Sequence, residues 1–214
     1  MDQEAKRAAW LKPGEQTELT DRIQALAAQI KVPEHVRSGL NHPELAVAQR
    51  TAVFIHRRTH LAENRAFRNK YFRKRTADQI AQYGIYPTCS DEVLLFRALM
   101  IAQGVPTLYA ESVLEGNIPR GRNSPRASSH AGTNILLRDG REIIYEPYTE
   151  DVFFSEEALF ERRGYILLAK GLDSWDLDIR GWDDVQAFRH LHAREARRKA
   201  DYFKASKEAA SYER

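Results

Sequence analysis

The segment 89–103 restricts the fold most, because as a helix it leaves almost no polar surface. Gly104 stands where a glycine commonly ends a helix, and Pro106 follows it. The apolar side chains of the segment 89–103 are Val93, Leu94, Leu95, Phe96, Leu99, Met100 and Ile101. A helix that is apolar nearly all round is buried at the centre of a domain. We therefore expect the rest of the chain to fold around this helix.

The length and composition fit one globular domain. The chain has 214 residues, of which 43% are hydrophobic and 29% charged. It shows no internal repeat and no dividing linker. We expect a single domain over 1–214, with a core at about 45–150, peripheral helices over 1–44, and a C-terminal strand and charged helix over 151–214.

Charge and cysteine usage exclude several classes of protein. Lys and Arg total 33 and Asp and Glu 30, so the net charge of +3 excludes a histone-like polycation and argues against a nucleic-acid partner. The single cysteine, Cys89, excludes a disulfide within the chain and a multi-cysteine zinc site. No apolar run is long enough to cross a membrane or to act as a signal segment. We therefore expect a cytoplasmic protein.

Hydrophobic periodicity predicts an α+β fold with a helical first half and an antiparallel sheet after the central helix. Helices are predicted over 20–30, from 43 onward, over 76–83, over 89–103 and over 183–213. Strands are predicted over 105–113, 133–137, 141–145 and 165–170. The segment 114–129 has no hydrophobic period and is expected to be a long surface loop.

The segment 57–75 is strongly basic, with eight Arg and Lys residues against the single acid Glu63. The ordinary interpretation is a solvated helix or loop face. The functional alternative is a contact surface for an acidic partner or for nucleic acid.

Cys89 is the candidate nucleophile because of its place at the start of the central helix. The first turn of a helix exposes backbone N–H groups and the positive end of the helix dipole, which favour a thiolate over a thiol. The same N–H groups can hold an oxyanion formed by attack on a carbonyl. A lone cysteine is otherwise commonly a small buried apolar residue.

A thiol nucleophile needs a base, and the base needs an orienting group. His130 lies where the long loop meets the predicted hairpin, and Glu146 lies at the far end of that hairpin. Cysteine, histidine and acid in this order are compatible with a thiol acyl-transfer triad. His56 and His60 have a spacing that could share a metal, but no third ligand is evident, so no metal site is predicted.

These residues resemble the core of the transglutaminase-like superfamily. The resemblance rests on Arg75-Thr76-Ala77, on Thr88-Cys89-Ser90-Asp91-Glu92, on Gln103-Gly104-Val105-Pro106, on Ser129-His130-Ala131, on Asp139-Gly140 and on Tyr145-Glu146-Pro147. It covers about 45–150. It implies a papain-like arrangement in which the Cys89 helix packs on the sheet that carries His130 and Glu146.

The resemblance implies covalent catalysis on amide bonds of peptides or proteins. Cys89 would attack the carbonyl, His130 would move the proton, and Glu146 would orient His130. The thioester would pass to water, as in a peptidase or amidase, or to an amine, as in a crosslinking transglutaminase; chain size favours hydrolysis. Thiol chemistry of this kind needs no metal or other cofactor. The alternative from another class is a catalytically silent binding module that uses the basic segment 57–75.

The chain differs from the usual family pattern around the triad. Pro87 stands two residues before the cysteine, where the family usually has Gly, and Gly132 stands where it often has an aromatic residue. The acid, usually Asp, is Glu146. An upstream Trp of the family can assist the oxyanion; Phe54 and His56 lie in the comparable region, and Gln82 is a further candidate.

The loop at 114–129 is expected to border the active cleft, since it ends at His130. Its arginines, Arg120, Arg122 and Arg126, would then favour an acidic substrate or partner. The alternative is an inert surface loop.

The register of the hairpin decides whether His130 and Glu146 can meet. A two-residue turn at Asp139-Gly140 would place them on opposite faces of the sheet. A three-residue turn that includes Arg138, with Gly140 left-handed, would pair Gly132 with Glu146 and leave His130 a diagonal neighbour on the same face. We predict the three-residue turn.

Overall fold

The computed structural model describes residues 2–30, 32–33, 39–61, 64–86, 88–121, 124–127 and 129–212. Within these ranges it contains eight α-helices. They are α1 (Gln3–Trp10), α2 (Asp21–Ala27), α3 (Pro43–Arg58), α4 (Arg65–Tyr71), α5 (Ala77–Tyr83), α6 (Cys89–Ala102), α7 (Glu156–Arg163) and α8 (Trp182–Tyr212). None of the helices in this part of the chain has the length and apolar character needed to cross a bilayer.

The strands form two sheets. A two-stranded parallel sheet pairs β1 (His60–Leu61) with β2 (Ile85–Tyr86). The main sheet contains β3 (Thr107–Leu114), β4 (His130–Leu136), β5 (Glu142–Glu146), β6 (Asp151–Phe153) and β7 (Tyr165–Gly171). Its order is β6-β5-β4-β3-β7, and every neighbouring pair is antiparallel. The fold is therefore α+β.

Helix α6 is the centre of the core, as its pattern predicts. Every residue from 90 to 101 is buried. It packs on β3 and β4 on one side and against α2, α3 and α5 on the others. Helix α8 packs against β7 and forms a smaller core that contains Val113, Ile166 and Phe203. Surrounding α6 with other elements removes its apolar side chains from water, which is the main stabilising effect available to a helix of this composition.

The hairpin between β4 and β5 has the predicted register. The Leu137 N–H donates to the Arg141 carbonyl at 2.9 Å, and Gly140 has a φ of 90°. Thr133 pairs with Tyr145 and Leu136 with Glu142, which places Gly132 opposite Glu146. The three-residue turn is confirmed. An L residue with a side chain rarely adopts the conformation of Gly140, so the glycine fixes this register.

The elements that the pattern did not predict are short and bury little. Helix α4 contains no buried residue, and α7 contains only Leu159. Strand β6 has three residues. Such segments have no apolar stripe long enough to show a period.

The expectation of a solvated face over 57–75 is wrong for two of its arginines. Arg65, Arg68 and Lys70 are exposed, but Arg73 and Arg75 are buried. Arg73 forms a bidentate ion pair with Glu111 of β3, with N–O distances of 2.8 and 2.9 Å. Arg75 pairs with Asp91 of α6 at 2.7 Å. Both ion pairs attach the segment before α5 to the central helix and sheet.

We predict that Glu111→Gln lowers the free energy of unfolding by about 3–5 kcal/mol, because it leaves the guanidinium of Arg73 buried without a full counter-charge. Urea unfolding followed by circular dichroism measures the change. The control is Asp183→Asn, which breaks the exposed ion pair with Arg126 and should change the free energy by less than about 1 kcal/mol. Equal effects of the two substitutions would contradict a structural role for Glu111.

Candidate active site

Cys89 is the first residue of α6 and is partly buried. The preceding residue, Thr88, has extended backbone angles (φ −153°, ψ 168°) and does not cap the helix with its side chain. Its hydroxyl lies 2.7 Å from the Ser90 hydroxyl instead. The first N–H groups of a helix have no intrahelical acceptor and carry the positive end of the helix dipole. Cys89 therefore lies where backbone donors and the dipole favour negative charge on sulfur and on a nearby oxyanion.

His130 and Glu146 lie together. The Nε2 atom of His130 is 2.5 Å from Oε2 of Glu146, and the Glu146 side chain is 8% exposed. His130 begins β4 and Glu146 ends β5, so the register of the hairpin brings them to the same face. Nε2 is occupied by the carboxylate, which leaves Nδ1 for Cys89. The side chain of His130 remains 21% exposed.

The surroundings of His130 favour its charged form. Burial lowers the pKa of His130, but hydrogen bonds to Cys89 and Glu146 and the negative charges of both groups raise it to about 11. The ring of His130 also stacks on Tyr165, with ring centroids 4.6 Å apart. At neutral pH the arrangement thus favours the imidazolium form of His130, the cation that a thiolate–imidazolium pair with Cys89 requires.

Gly132 makes room for the acid. A Cβ built on Gly132 would lie 2.7 Å from Oε1 of Glu146, closer than real Cβ contacts allow. The carboxylate of Glu146 therefore occupies the space that a side chain at position 132 would fill. The two positions are thus linked: the Glu146 side chain fits because the opposite residue is glycine.

A cavity of about 280 Å³ opens beside Cys89 and His130. Its other walls include Phe72, Leu114, Asn117, Ser129, Tyr165 and Trp182. The loop after β3 therefore borders this cavity through Asn117 and Ser129, as expected for a loop that ends at His130. It is held to α8, where Arg189 donates to the Ala127 carbonyl at 3.0 Å and to the Asn117 carbonyl.

The buried ion pair of Arg73 lies next to the site. Arg73 borders the cavity, and its guanidinium lies 3.3 Å from the hydroxyl of Ser129, the residue before His130. It also donates to Tyr109 at 2.7 Å. Burial lowers the pKa of Arg73, but Glu111, Tyr109 and Cys89 raise it above its ordinary value, so the group stays charged. A permanent positive charge therefore borders the cavity that contains Cys89.

The first turn of α6 is fixed by two further carboxylates. Arg75 donates to Asp91 and to the Ile85 carbonyl, which anchors the helix start to β2. Burial raises the pKa of Asp91 to about 6, against the opposing effect of Arg75. The Oε1 atom of Glu92 lies within hydrogen-bond distance of Nε2 of His56, at 2.8 Å.

The three oxyanion candidates differ in position. Gln82 and Phe54 line a separate cavity that reaches α6 at Leu95 and Leu99, beyond its first turn. Neither borders the cavity that contains Cys89. His56 contacts the first turn of α6 through Glu92 and packs edge-on against Tyr148, at 6.3 Å between ring centroids. Of the three, His56 alone is hydrogen-bonded to the turn that carries Cys89.

The three arginines of the loop after β3 also differ in their positions relative to the cavities. Arg126 lines a second cavity that adjoins Cys89 through Thr88. Arg120 is exposed and borders neither cavity. Arg122 lies outside the described residues, as does Pro87.

Sequence reasoning missed Phe72, Arg73, Tyr165 and Trp182 as parts of this site. One signal was available for Arg73: its partner Glu111 is the single charged residue of β3. Such a carboxylate is seldom buried without a partner of opposite charge. The aromatic walls come from segments far apart in the chain and left no comparable signal.

Within the described ranges, no cluster of three or more His, Cys, Asp or Glu side chains is placed to hold a metal ion. The groups that do converge are a thiol, an imidazole and a carboxylate. Together with the N–H groups at the start of α6, they have the composition needed for nucleophilic attack on a carbonyl carbon with proton transfer by the imidazole.

The comparisons with known proteins concern the fold. No family model matches the sequence, and no curated protein matches it. Among solved structures, the chain is similar to a candidate cysteine protease from Cytophaga hutchinsonii, with a TM-score of 0.55 and 18% sequence identity. The match covers 82% of this chain and 50% of that protein. The chain therefore spans half the length of that protein and shares a fold with it.

We predict that His130→Gln slows alkylation of Cys89 by iodoacetamide about tenfold at pH 7, because without the cation an ordinary thiol is only a few per cent ionised there. The difference in alkylation rate between the unsubstituted protein and the His130→Gln variant should decrease above about pH 8.5, where an ordinary thiol ionises unaided. Mass spectrometry of the intact chain measures both rates. If the ratio of the two alkylation rates were the same at every pH, the result would contradict a thiolate–imidazolium pair.

We predict that Gly132→Ala also slows alkylation at pH 7, because its Cβ would displace the Glu146 carboxylate from His130. Glu146→Asp shortens the acid, so the double substitution should recover part of the lost rate. Gly116→Ala is the control, since a Cβ there meets nothing within 4 Å. A slower rate in the control, or no recovery in the double variant, would contradict the link between Gly132 and Glu146.

Proposed function

We propose that the chain is a transglutaminase-like cysteine hydrolase that cleaves amide bonds of peptides or proteins through a thioester on Cys89. The observation that carries the proposal is the Cys89 thiol at the start of a buried helix, next to an imidazole held by Glu146 at 2.5 Å. The fold shared with a candidate cysteine protease supports a papain-like or transglutaminase-like arrangement of these groups.

In the first half-reaction the Cys89 sulfur attacks the carbonyl carbon of the substrate amide. The C=O π electrons move to the oxygen, and backbone N–H groups at the start of α6 stabilise the oxyanion. The C–N bond then breaks, and the leaving nitrogen takes the proton of the His130 imidazolium. An amine departs, and the acyl group remains on Cys89 as a thioester.

In the second half-reaction neutral His130 takes a proton from water as the oxygen attacks the thioester carbonyl. Collapse of the tetrahedral intermediate breaks the C–S bond and releases a carboxylic acid. The products are the thiolate and the imidazolium of the resting state. Glu146 keeps Nε2 of His130 engaged throughout, so Nδ1 faces the reacting atoms.

Water is the proposed acceptor because the site is open to solvent: the His130 side chain is 21% exposed. Transfer to an amine would make the protein a crosslinking transglutaminase with the same residues in the first half-reaction. A binding module that uses the exposed arginines of 57–75 would need no reactive thiol. One experiment separates these three functions.

The experiment incubates the protein with a digest of cellular peptides and a primary-amine probe, and analyses the products by mass spectrometry. Hydrolysis of the main chain gives new peptide termini, hydrolysis of glutamine gives glutamate, and amine transfer gives probe adducts. We expect hydrolysis products. Probe adducts would favour the transglutaminase. No product, together with a Cys89 that iodoacetamide labels no faster than in the denatured chain, would favour the binding module.

We predict that Cys89→Ala abolishes the products and that Glu146→Ala lowers kcat/KM roughly 100-fold or more, because without an acceptor for its Nε2–H the imidazole is no longer oriented. The same peptides and the rate of product formation provide the measurement. Leu191→Ala is the control, since this side chain is 78% exposed on α8. Retained activity in Cys89→Ala would contradict the proposed mechanism.

A further inference from the structure

A second and larger cavity adjoins the one that contains Cys89. It has a volume of about 610 Å³ and is lined by Arg65, Arg68, Asn69, Thr88, Arg126 and Trp182; we refer to it as the arginine cavity. Thr88 and Trp182 line both cavities. Since Thr88 immediately precedes Cys89, a chain bound across the thiol would reach the arginine cavity within a residue or two.

The charges around the arginine cavity are not balanced. Arg65 and Arg68 are three residues apart on α4, so their side chains lie on one side of that helix. In the part of the chain that the structure describes, neither side chain has a carboxylate partner within ion-pair distance. Arg126 reaches the cavity from the loop and pairs with Asp183 at 3.0 Å, but both side chains are at least 80% exposed. An exposed pair of this kind is weak and can exchange partners.

Trp182 gives the arginine cavity a firm apolar wall. Its ring stacks on Phe72 with centroids 4.0 Å apart and planes 10° apart. Phe72 in turn lines the Cys89 cavity. The indole offers a surface for the methylene groups of a bound side chain, and the guanidinium groups offer donors for its charged end. Such a wall with cationic donors fits a Glu or Asp side chain better than a neutral or basic one.

We propose that the arginine cavity binds an acidic side chain of the peptide substrate, next to the amide that Cys89 attacks. The inference rests on the proposed function and specifies its substrate class. A peptide is favoured over nucleic acid because the donors converge on one recess beside a nucleophile. A phosphate backbone is instead bound by basic groups spread along a surface. Arg65 and Arg68 are the positions that decide the preference, with Arg126 facing them from the loop.

The test measures how well peptides protect Cys89 from iodoacetamide. The probes are heptapeptides in which a single Glu is moved through every position, each paired with a twin that carries Gln. We expect at least one Glu peptide to protect at a concentration about tenfold lower than its twin, as for a charge-assisted hydrogen bond. The advantage should decrease in high salt.

Matched variants assign the effect to the arginine cavity. Arg65→Gln with Arg68→Gln should remove the advantage of Glu over Gln. Arg194→Gln with Arg198→Gln makes the same change of charge at exposed positions further along α8 and should leave the advantage intact. Equal loss in the two double variants would overturn the assignment, because it would show a general effect of net charge.

The outcomes for the subsite and for the proposed function are distinct. Fast alkylation of Cys89 with equal protection by Glu and Gln peptides overturns the acidic subsite and leaves the proposed function standing. Protection by a single-stranded oligonucleotide where no Glu peptide protects overturns the subsite in favour of nucleic acid. Alkylation no faster than in the denatured chain overturns the proposed function, and with it the assignment of the cavity to a substrate.

Discussion

Burial of α6 is the constraint on which the rest of this structure depends. A helix whose residues 90–101 are all buried must be covered on every side, and the elements that cover it come from both halves of the chain. The end of the helix that carries Cys89 is the exception, because it opens onto a cavity. Burial of the helix body and partial exposure of its first residue together place a thiol beside unpaired backbone donors.

Burying this helix also buries charged side chains, which the structure either pairs with an opposite charge or hydrogen-bonds to neutral groups. Asp91 and Arg97 lie within α6; Asp91 is paired with Arg75, and Arg97 donates to Thr17 at 2.6 Å and to the Thr107 carbonyl at 3.0 Å. Burial lowers the pKa of Arg97 to about 10, so it remains charged at neutral pH. A buried charge without partners would cost several kcal/mol, so these bonds fix the N-terminal segment and β3 relative to α6.

Glu146 illustrates how two strands fit each other at the site. The residue opposite it has no side chain, so the carboxylate folds back over Gly132 to reach His130. Position 132 and position 146 are 14 residues apart in sequence but directly paired in the sheet, as the register extends from Thr133 and Tyr145.

The sequence by itself determined the parts of the fold that depend on neighbouring residues. The central helix, the turn near Gly140 and the position of Cys89 at a helix start follow from periodicity and turn chemistry within short segments. Turn chemistry left two hairpin registers open, and the choice between them rested on the requirement that His130 and Glu146 share a face of the sheet. The tertiary structure alone decided which distant residues meet. It buried Arg73 against Glu111, placed Gln82 and Phe54 away from Cys89, and brought Trp182 beside it. These contacts join segments separated by tens of residues, and local patterns carry no record of such pairings because they depend on how whole elements pack.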